Sequence, residues 1–202
     1  MRVIHIIPSA FEYFDDIRSE VFKLIEGLYK MGIETEAFTL QYGGPTKTIK
    51  DQIKEDSPSV HDYISSTGAA GLVDGLADFD IVHLHCPLLG AARQVLNWKK
   101  THPRTPLVIT YHRDVVWTDL FSLFIKLYNY YYLPKLFKVA NIVVCQNLEE
   151  LGSFRGSRHI DKNKDLAVLD EIKLEGDWVD PKWSPLEVVA AKTALIYNTF
   201  VS

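Results

Sequence analysis

The chain has 202 residues, 47% of them hydrophobic and 24% charged, the balance of an ordinary globular protein long enough to bury a core. A formal net charge of −4 and a pI near 6.0 give no overall drive towards polyanions, so no nucleic-acid partner is expected. No uncharged run approaches the roughly 18 residues of a membrane span, the first eight residues lack the pattern of a secretory leader, and the only two cysteines, Cys86 and Cys145, end predicted strands. A cytoplasmic protein with reduced thiols is expected, at most peripheral to a membrane.

Residues 2–8 (RVIHIIP) form a β-branched apolar run, the pattern of a strand buried in a parallel sheet. Over 16–31, Ile17, Val21, Leu24, Ile25 and Leu28 recur every three or four positions. Asp15 and Asp16 precede them and Gly32 follows, which predicts an amphipathic helix. Alternation over 34–40 predicts a second strand and completes a βαβ unit. Gly43, Gly44, Pro45 and Pro58 break any regularity over 41–66, and a short glycine-containing helix is predicted over 67–79.

The pattern then sharpens. Strands are predicted at 81–86, 107–111 and 141–145, separated by helices at 89–100, 118–137 and 148–154. This alternation specifies an α/β fold, a Rossmann-like, doubly wound, mostly parallel sheet with helices on both faces, over 1–155. Residues 156–183 read as a connector, with 166–169 as one further short strand. Ser184 and Pro185 supply the cap and first position of a final helix over 184–202, whose Val188, Val189, Leu195 and Ile196 form an apolar face.

Ligands of open α/β sheets bind beyond the carboxyl ends of the strands. That rule places Asp16, His85, His112, Arg113 and Asp114 along one rim. Imidazole takes up or donates a proton near neutral pH, and Arg and Asp bind the hydroxyls of a polar ligand. A strand-end histidine standing alone more often satisfies a loop backbone; His112 has Arg113 and Asp114 beside it. His83 and His85 share one face of a strand and His5 stands on a neighbouring one, which is compatible with a metal site. No acidic or thiol ligand has recognisable spacing, and no metal is expected. Neither a GxSxG elbow nor a GxxxxGK[ST] phosphate loop is present, and the turn after the first strand (PSAFEYFDD) has no glycine. Nicotinamide and flavin chemistry are therefore disfavoured, and no cofactor is expected.

Residues 117–138 (WTDLFSLFIKLYNYYYLPKLFK) interleave aromatic side chains with Lys126, Lys135 and Lys138. Two readings fit. One is a helix covering the sheet and bent near Pro134, the commoner fate of such residues. The other is a face for a membrane surface or a partner.

Residues 110–147, TYHRDVVWTDLFSLFIKLYNYYYLPKLFKVANIVVCQN, resemble a segment of the family-four retaining glycosyltransferases of GT-B fold. Those enzymes often read threonine-tyrosine-histidine-serine-aspartate, then a helix ending in an alanine-aspartate turn. Thr110, Tyr111, His112 and Asp114 match, and Ala140-Asn141 stands at the turn. DIVHLHCPLLGAA, over 80–92, resembles the family's strand carrying a histidine and a proline. The likeness covers about residues 1–155 and implies the N-terminal, acceptor-side half of a GT-B fold. DPKWSPLEVVAAKTALIYNTFVS resembles the C-terminal helix that, in these enzymes, crosses back onto the N-terminal domain.

The resemblance implies that His112 contacts the transferred sugar and is catalytic, with Asp16, His85, Arg113 and Asp114 binding substrate. It also implies a nucleotide-sugar donor, a glycan or lipid-linked acceptor, and transfer of a hexose between them. The family's donor-phosphate ligands, a basic pair and paired glutamates, have no counterpart in this sequence, and the glycine-rich turn is replaced. A second protein subunit supplying the donor-binding domain is therefore expected. The alternative is a non-catalytic glycan-, lipid- or protein-binding module derived from such an enzyme.

Overall fold

A computed structural model describes residues 1–8, 15–39, 63–64, 76–114, 122–160, 165–175 and 182–201. Seven strands form one sheet: β1 (Arg2–Ile7), β2 (Glu34–Thr39), β3 (Tyr63–Ile64), β4 (Ile81–Cys86), β5 (Leu107–Tyr111), β6 (Ile142–Cys145) and β7 (Asp165–Val168). Their order is β3-β2-β1-β4-β5-β6-β7, and every pairing is parallel. The chain moves outward one way from β1 to β2 and β3, then the other way from β4 to β7. That reversal between β1 and β4 is the switch point of a doubly wound fold.

The helices are α1 (Asp15–Lys30), α2 (Ala92–Thr101), α3 (Ser122–Leu127), α4 (Leu133–Val139), α5 (Leu148–Ser153) and α6 (Pro185–Asn198). A π-helical turn, Tyr128–Tyr132, joins α3 to α4 just before Pro134. The bend foreseen at Pro134 is thus absorbed by widening the preceding turn, where a proline's missing N–H is accommodated. Of the predicted elements, most of 67–79, the residues 118–121 and the middle of the connector, 176–181, lie outside the described residues.

Strand alternation sorts the core into two layers. Val3, Ile81, Val108 and Val144 face α1 and α6, meeting Leu24, Leu28, Ala190, Ala194 and Tyr197. Val82, Leu84, Ile109 and Val143 face the other way, towards Val95, Trp98, Leu136 and Phe137. β4 is buried at every residue, and β1 and β5 at every residue but Arg2 and Thr110, as a sheet covered on both faces requires.

Two local details fix the layer that carries the site. Gly32, at φ 81°, ends α1 in the left-handed conformation, and the Ile33 amide bonds back to the Leu28 carbonyl at 3.1 Å. Gly27 faces α6 so closely that a Cβ there would lie 2.7 Å from the Ala190 methyl, so α1 and α6 meet nearly backbone to backbone. α6 begins with a complete capping box: the Ser184 hydroxyl accepts from the Glu187 amide, and the Glu187 carboxylate accepts from the Ser184 amide at 2.7 Å.

On the opposite layer, Lys99 is buried and donates to the Pro103 and Thr105 carbonyls and to Asn141 Oδ1 (3.1, 2.6 and 3.0 Å). The same Asn141 oxygen accepts from the Leu107 amide at 3.0 Å. Asn141, at the turn into β6, supplies the acceptor that positions β5 beside β6.

Candidate functional site

Beyond the carboxyl ends of β4, β5 and β6 lies a cleft of about 830 Å³, walled by α1, α5 and the first turns of α6. Of the residues that the sequence placed on the rim, Asp16, His85, His112 and Arg113 line it. Arg113 grips Asp16 with both terminal nitrogens, at 2.7 and 2.9 Å, joining the β5 end to the start of α1. Partial burial acts to raise the Asp16 carboxyl, but the Ile17 amide and the Arg113 guanidinium outweigh it and hold its pKa below the usual range.

Asp114 does not line the cleft. Its carboxylate accepts from the Tyr111 hydroxyl and from the amides of Arg155 and Gly156, tying the end of β5 to the 3₁₀ turn Arg155–His159. Burial and this aspartate together raise the Tyr111 pKa, so the phenol stays a donor. In this structure Asp114 holds the floor of the site in place.

Gln146 and Asn147, at the end of β6 where the strand-end rule also puts the rim, line the cleft too. Glu20 on α1 and Glu150 on α5 are cleft groups that the sequence reading missed. Burial, and then the neighbouring Asp16, raise the Glu20 carboxyl. Asn147 caps α5 by accepting from the Glu150 amide at 2.7 Å. The signal for Glu20 was present in the sequence, one helical turn after Asp16 on the same face.

Behind the rim the histidines form a continuous chain. His112 Nε2 meets His85 Nδ1 at 3.0 Å, and His85 Nε2 meets His5 Nδ1 at 3.0 Å. His5 Nε2 lies 3.5 Å from the Tyr197 hydroxyl, which meets His83 Nδ1 at 2.5 Å. His83 Nε2 then reaches Thr110 Oγ1 at 2.7 Å. Registry produces this: His5 is opposite His83 across β1–β4, and His85 is opposite Thr110 across β4–β5. The hydroxyl of Tyr197, from α6, closes the gap between His5 and His83.

Burial lowers the pKa of His5 to about 3; burial and then Arg113 lower that of His112 to about 4. Burial, with the adjacent imidazoles, pushes His83 and His85 well below their ordinary value. All four rings are neutral at pH 7, so each carries one N–H and one bare nitrogen. Two complete patterns then satisfy the chain. In one, every donor points from Thr110 towards His112, and His112 keeps its proton on Nδ1. In the other, every donor is reversed and His112 Nδ1 is bare. Both ends, Thr110 and His112, line the cleft. Switching from the second pattern to the first takes one proton in at His112 and releases one at Thr110, leaving no charge in the core.

His5, His83 and His85 each offer a nitrogen within 4.8 Å of the others, close enough to share a metal ion. Yet all six of their nitrogens already face a hydrogen-bond partner. The His83 and His85 rings are also stacked, 4.3 Å apart at 27°, so their lone pairs run side by side instead of converging. The donor set fits a hydrogen-bonded relay better than a metal centre. Both cysteines are buried and free, and burial raises the Cys86 thiol to about 12, which makes it inert as a nucleophile or ligand.

No family model matches the sequence, and no curated protein matches it. Among solved structures, the fold is similar to that of an α-glucosyltransferase in complex with UDP and a 13-mer DNA containing a central A:G mismatch. The similarity has a TM-score of 0.50 at 13% sequence identity and covers 83% of this chain. The chain spans 40% of the length of that enzyme. The fold is therefore α/β and Rossmann-like, of the kind that makes up one half of a GT-B glycosyltransferase.

Proposed function

We propose that this chain is the acceptor-side domain of a hexosyltransferase, working with a donor-binding domain on a separate partner protein. The observation that carries the reading is the cleft at the switch-point end of the sheet. There neutral His112 stands beside the Arg113–Asp16 pair, with Glu20, Asn147 and Glu150 around it. These donors and acceptors suit the hydroxyls of a glycan or lipid-linked sugar, and the apolar side chains that share the lining, such as Val21, Leu151 and Phe154, suit its C–H faces.

In this reading each group has a role. Arg113 and Asp16 orient acceptor hydroxyls. His112, catalytic in this reading, uses Nδ1 towards the transferred sugar, its tautomer set by His85. Transfer of this type relies on positioning and on stabilising charge at the leaving phosphate. This chain supplies the first, and the partner supplies the second together with the nucleotide sugar. The retaining outcome and the donor sugar are set by that partner's site.

The test uses the chain with the proteins that co-purify with it, scored for hydrolysis of and transfer from uridine- and guanosine-diphosphate sugars. Transfer that His112→Ala reduces by roughly two orders of magnitude or more supports the proposal. Acceptor binding that Arg113→Ala abolishes, without transfer in any preparation, overturns it in favour of a non-catalytic glycan-binding module.

A further inference from the structure

The face of the molecule remote from the cleft carries a charge distribution that the proposed function does not use. In α2, and from α3 to the end of α4, there is no aspartate or glutamate at all, so all 26 acidic residues lie elsewhere. Between these elements runs a groove of about 550 Å³ lined by Arg93, Lys100, Lys135 and Lys138, with no carboxylate among the described residues that line it. A protein with a net charge of −4 thus concentrates positive charge on one side. Lys135 also sits 3.3 Å over the Tyr131 ring.

Beside this groove the structure leaves large apolar side chains in solvent. Leu123 is 76% exposed, Leu127 52%, Tyr130 77% and Tyr131 48%. They follow one another at spacings of four, three and one, so they share one stripe of the α3–π segment. The inward stripe, Ile125, Tyr128, Leu133, Leu136 and Phe137, is buried against the sheet. Nothing in the packing of the described residues requires the outer stripe to be apolar.

We propose that this face docks on the surface of an anionic phospholipid bilayer. The combination decides between occupants. Phosphate groups of nucleic acid would use the cations but not the protruding leucines, whereas a bilayer interface takes both, with tyrosines at headgroup depth and lysines against the lipid phosphates. No described helix is long and apolar enough to cross a membrane, so contact is from the surface. The docked face is opposite α1 and α6, so docking leaves the cleft uncovered.

Vesicle flotation of the full chain tests this, with phosphatidylglycerol-containing vesicles against vesicles of phosphatidylcholine alone. Binding to the anionic vesicles at least about tenfold tighter is expected, weakening with salt. Lys100→Glu with Lys135→Glu should remove roughly another tenfold or more. Leu127→Ser with Tyr130→Ser should weaken what remains in high salt, all with an unchanged urea midpoint. Equal binding to both vesicle types, no flotation, or flotation indifferent to both double variants overturns the proposal. So does binding of a DNA or RNA duplex by the wild type in place of vesicles. None of these outcomes depends on whether the cleft transfers sugar.

Discussion

His112 owes its chemistry to a tyrosine 85 positions further along the chain. Without the Tyr197 hydroxyl, His83 Nδ1 and His5 Nε2 would be buried with no partner, and the two halves of the relay would polarise independently. Tyr197→Phe should therefore cost about 1–3 kcal/mol of stability, read as a lower urea midpoint. It should also uncouple the tautomer of His112 from that of His83, so that nitrogen-15 shifts of the two rings no longer change together; shifts that still move together would show that the hydroxyl does not link them. A second residue-scale prediction concerns Asp114. Asp114→Ala strands the Tyr111 hydroxyl and two backbone amides, so it should destabilise the fold by a few kcal/mol. Substitution of Arg113 by Ala, made at the rim, should leave the melting temperature within a degree or two while abolishing ligand binding.

At the scale of elements, α6 is held by a small glycine and a capping box. Gly27→Leu inserts a side chain where a single Cβ already meets Ala190 at 2.7 Å, and overpacking of this kind costs about 1–3 kcal/mol. In a chain of this length that lowers the melting temperature by roughly 2–4 °C per kcal/mol. Ser184→Ala removes the cap and should cost about 1 kcal/mol. Calorimetry of the two variants and their combination checks whether both act through α6, because coupled changes fall short of additive. The elements were legible where period and punctuation agree. β4 and β5 stand where the alternation put them, and Ser184-Pro185 marked the start of α6. Of its expected apolar face, however, only Ile196 is buried. Val188, Val189 and Leu195 are half-buried, and Ala190, Ala194 and Tyr197 face the sheet instead. The aromatic stretch was harder, because each of its two readings described half of it: Tyr128 and Phe137 are core, while Tyr130 and Tyr131 are surface. A π turn rotates the register there, and helical periodicity counted at 3.6 residues cannot register that shift.

For the whole molecule, the buried imidazoles make stability depend on pH in one direction. Each is neutral in the fold, with its pKa lowered from 6.5 to about 3 for His5 and about 4 for His112. The unfolded chain binds these protons first, so stability is complete above pH 6.5 and falls as the pH drops towards the folded values. Each such histidine contributes a slope of about 1.4 kcal/mol per pH unit in that window. Urea midpoints should be flat from pH 7 to 8 and fall steeply below 6. Replacing His5 by Gln should flatten part of that slope; an unaltered slope would place the proton uptake elsewhere.

The sequence by itself determined the doubly wound α/β order and the rim where Asp16, His112 and Arg113 gather. Those follow from local periodicity and from the rule that strands end on one side. It also carried the aromatic and lysine residues of 122–138, which include no aspartate or glutamate. Tertiary structure alone decided that Asp114 turns away to bind the Arg155 and Gly156 amides. It also decided that four groups from β1, β4 and α6 link His112 through the core to Thr110. Each of those depends on side chains brought together across gaps of tens to nearly two hundred residues, a proximity that registry and packing create and that no window along the chain contains.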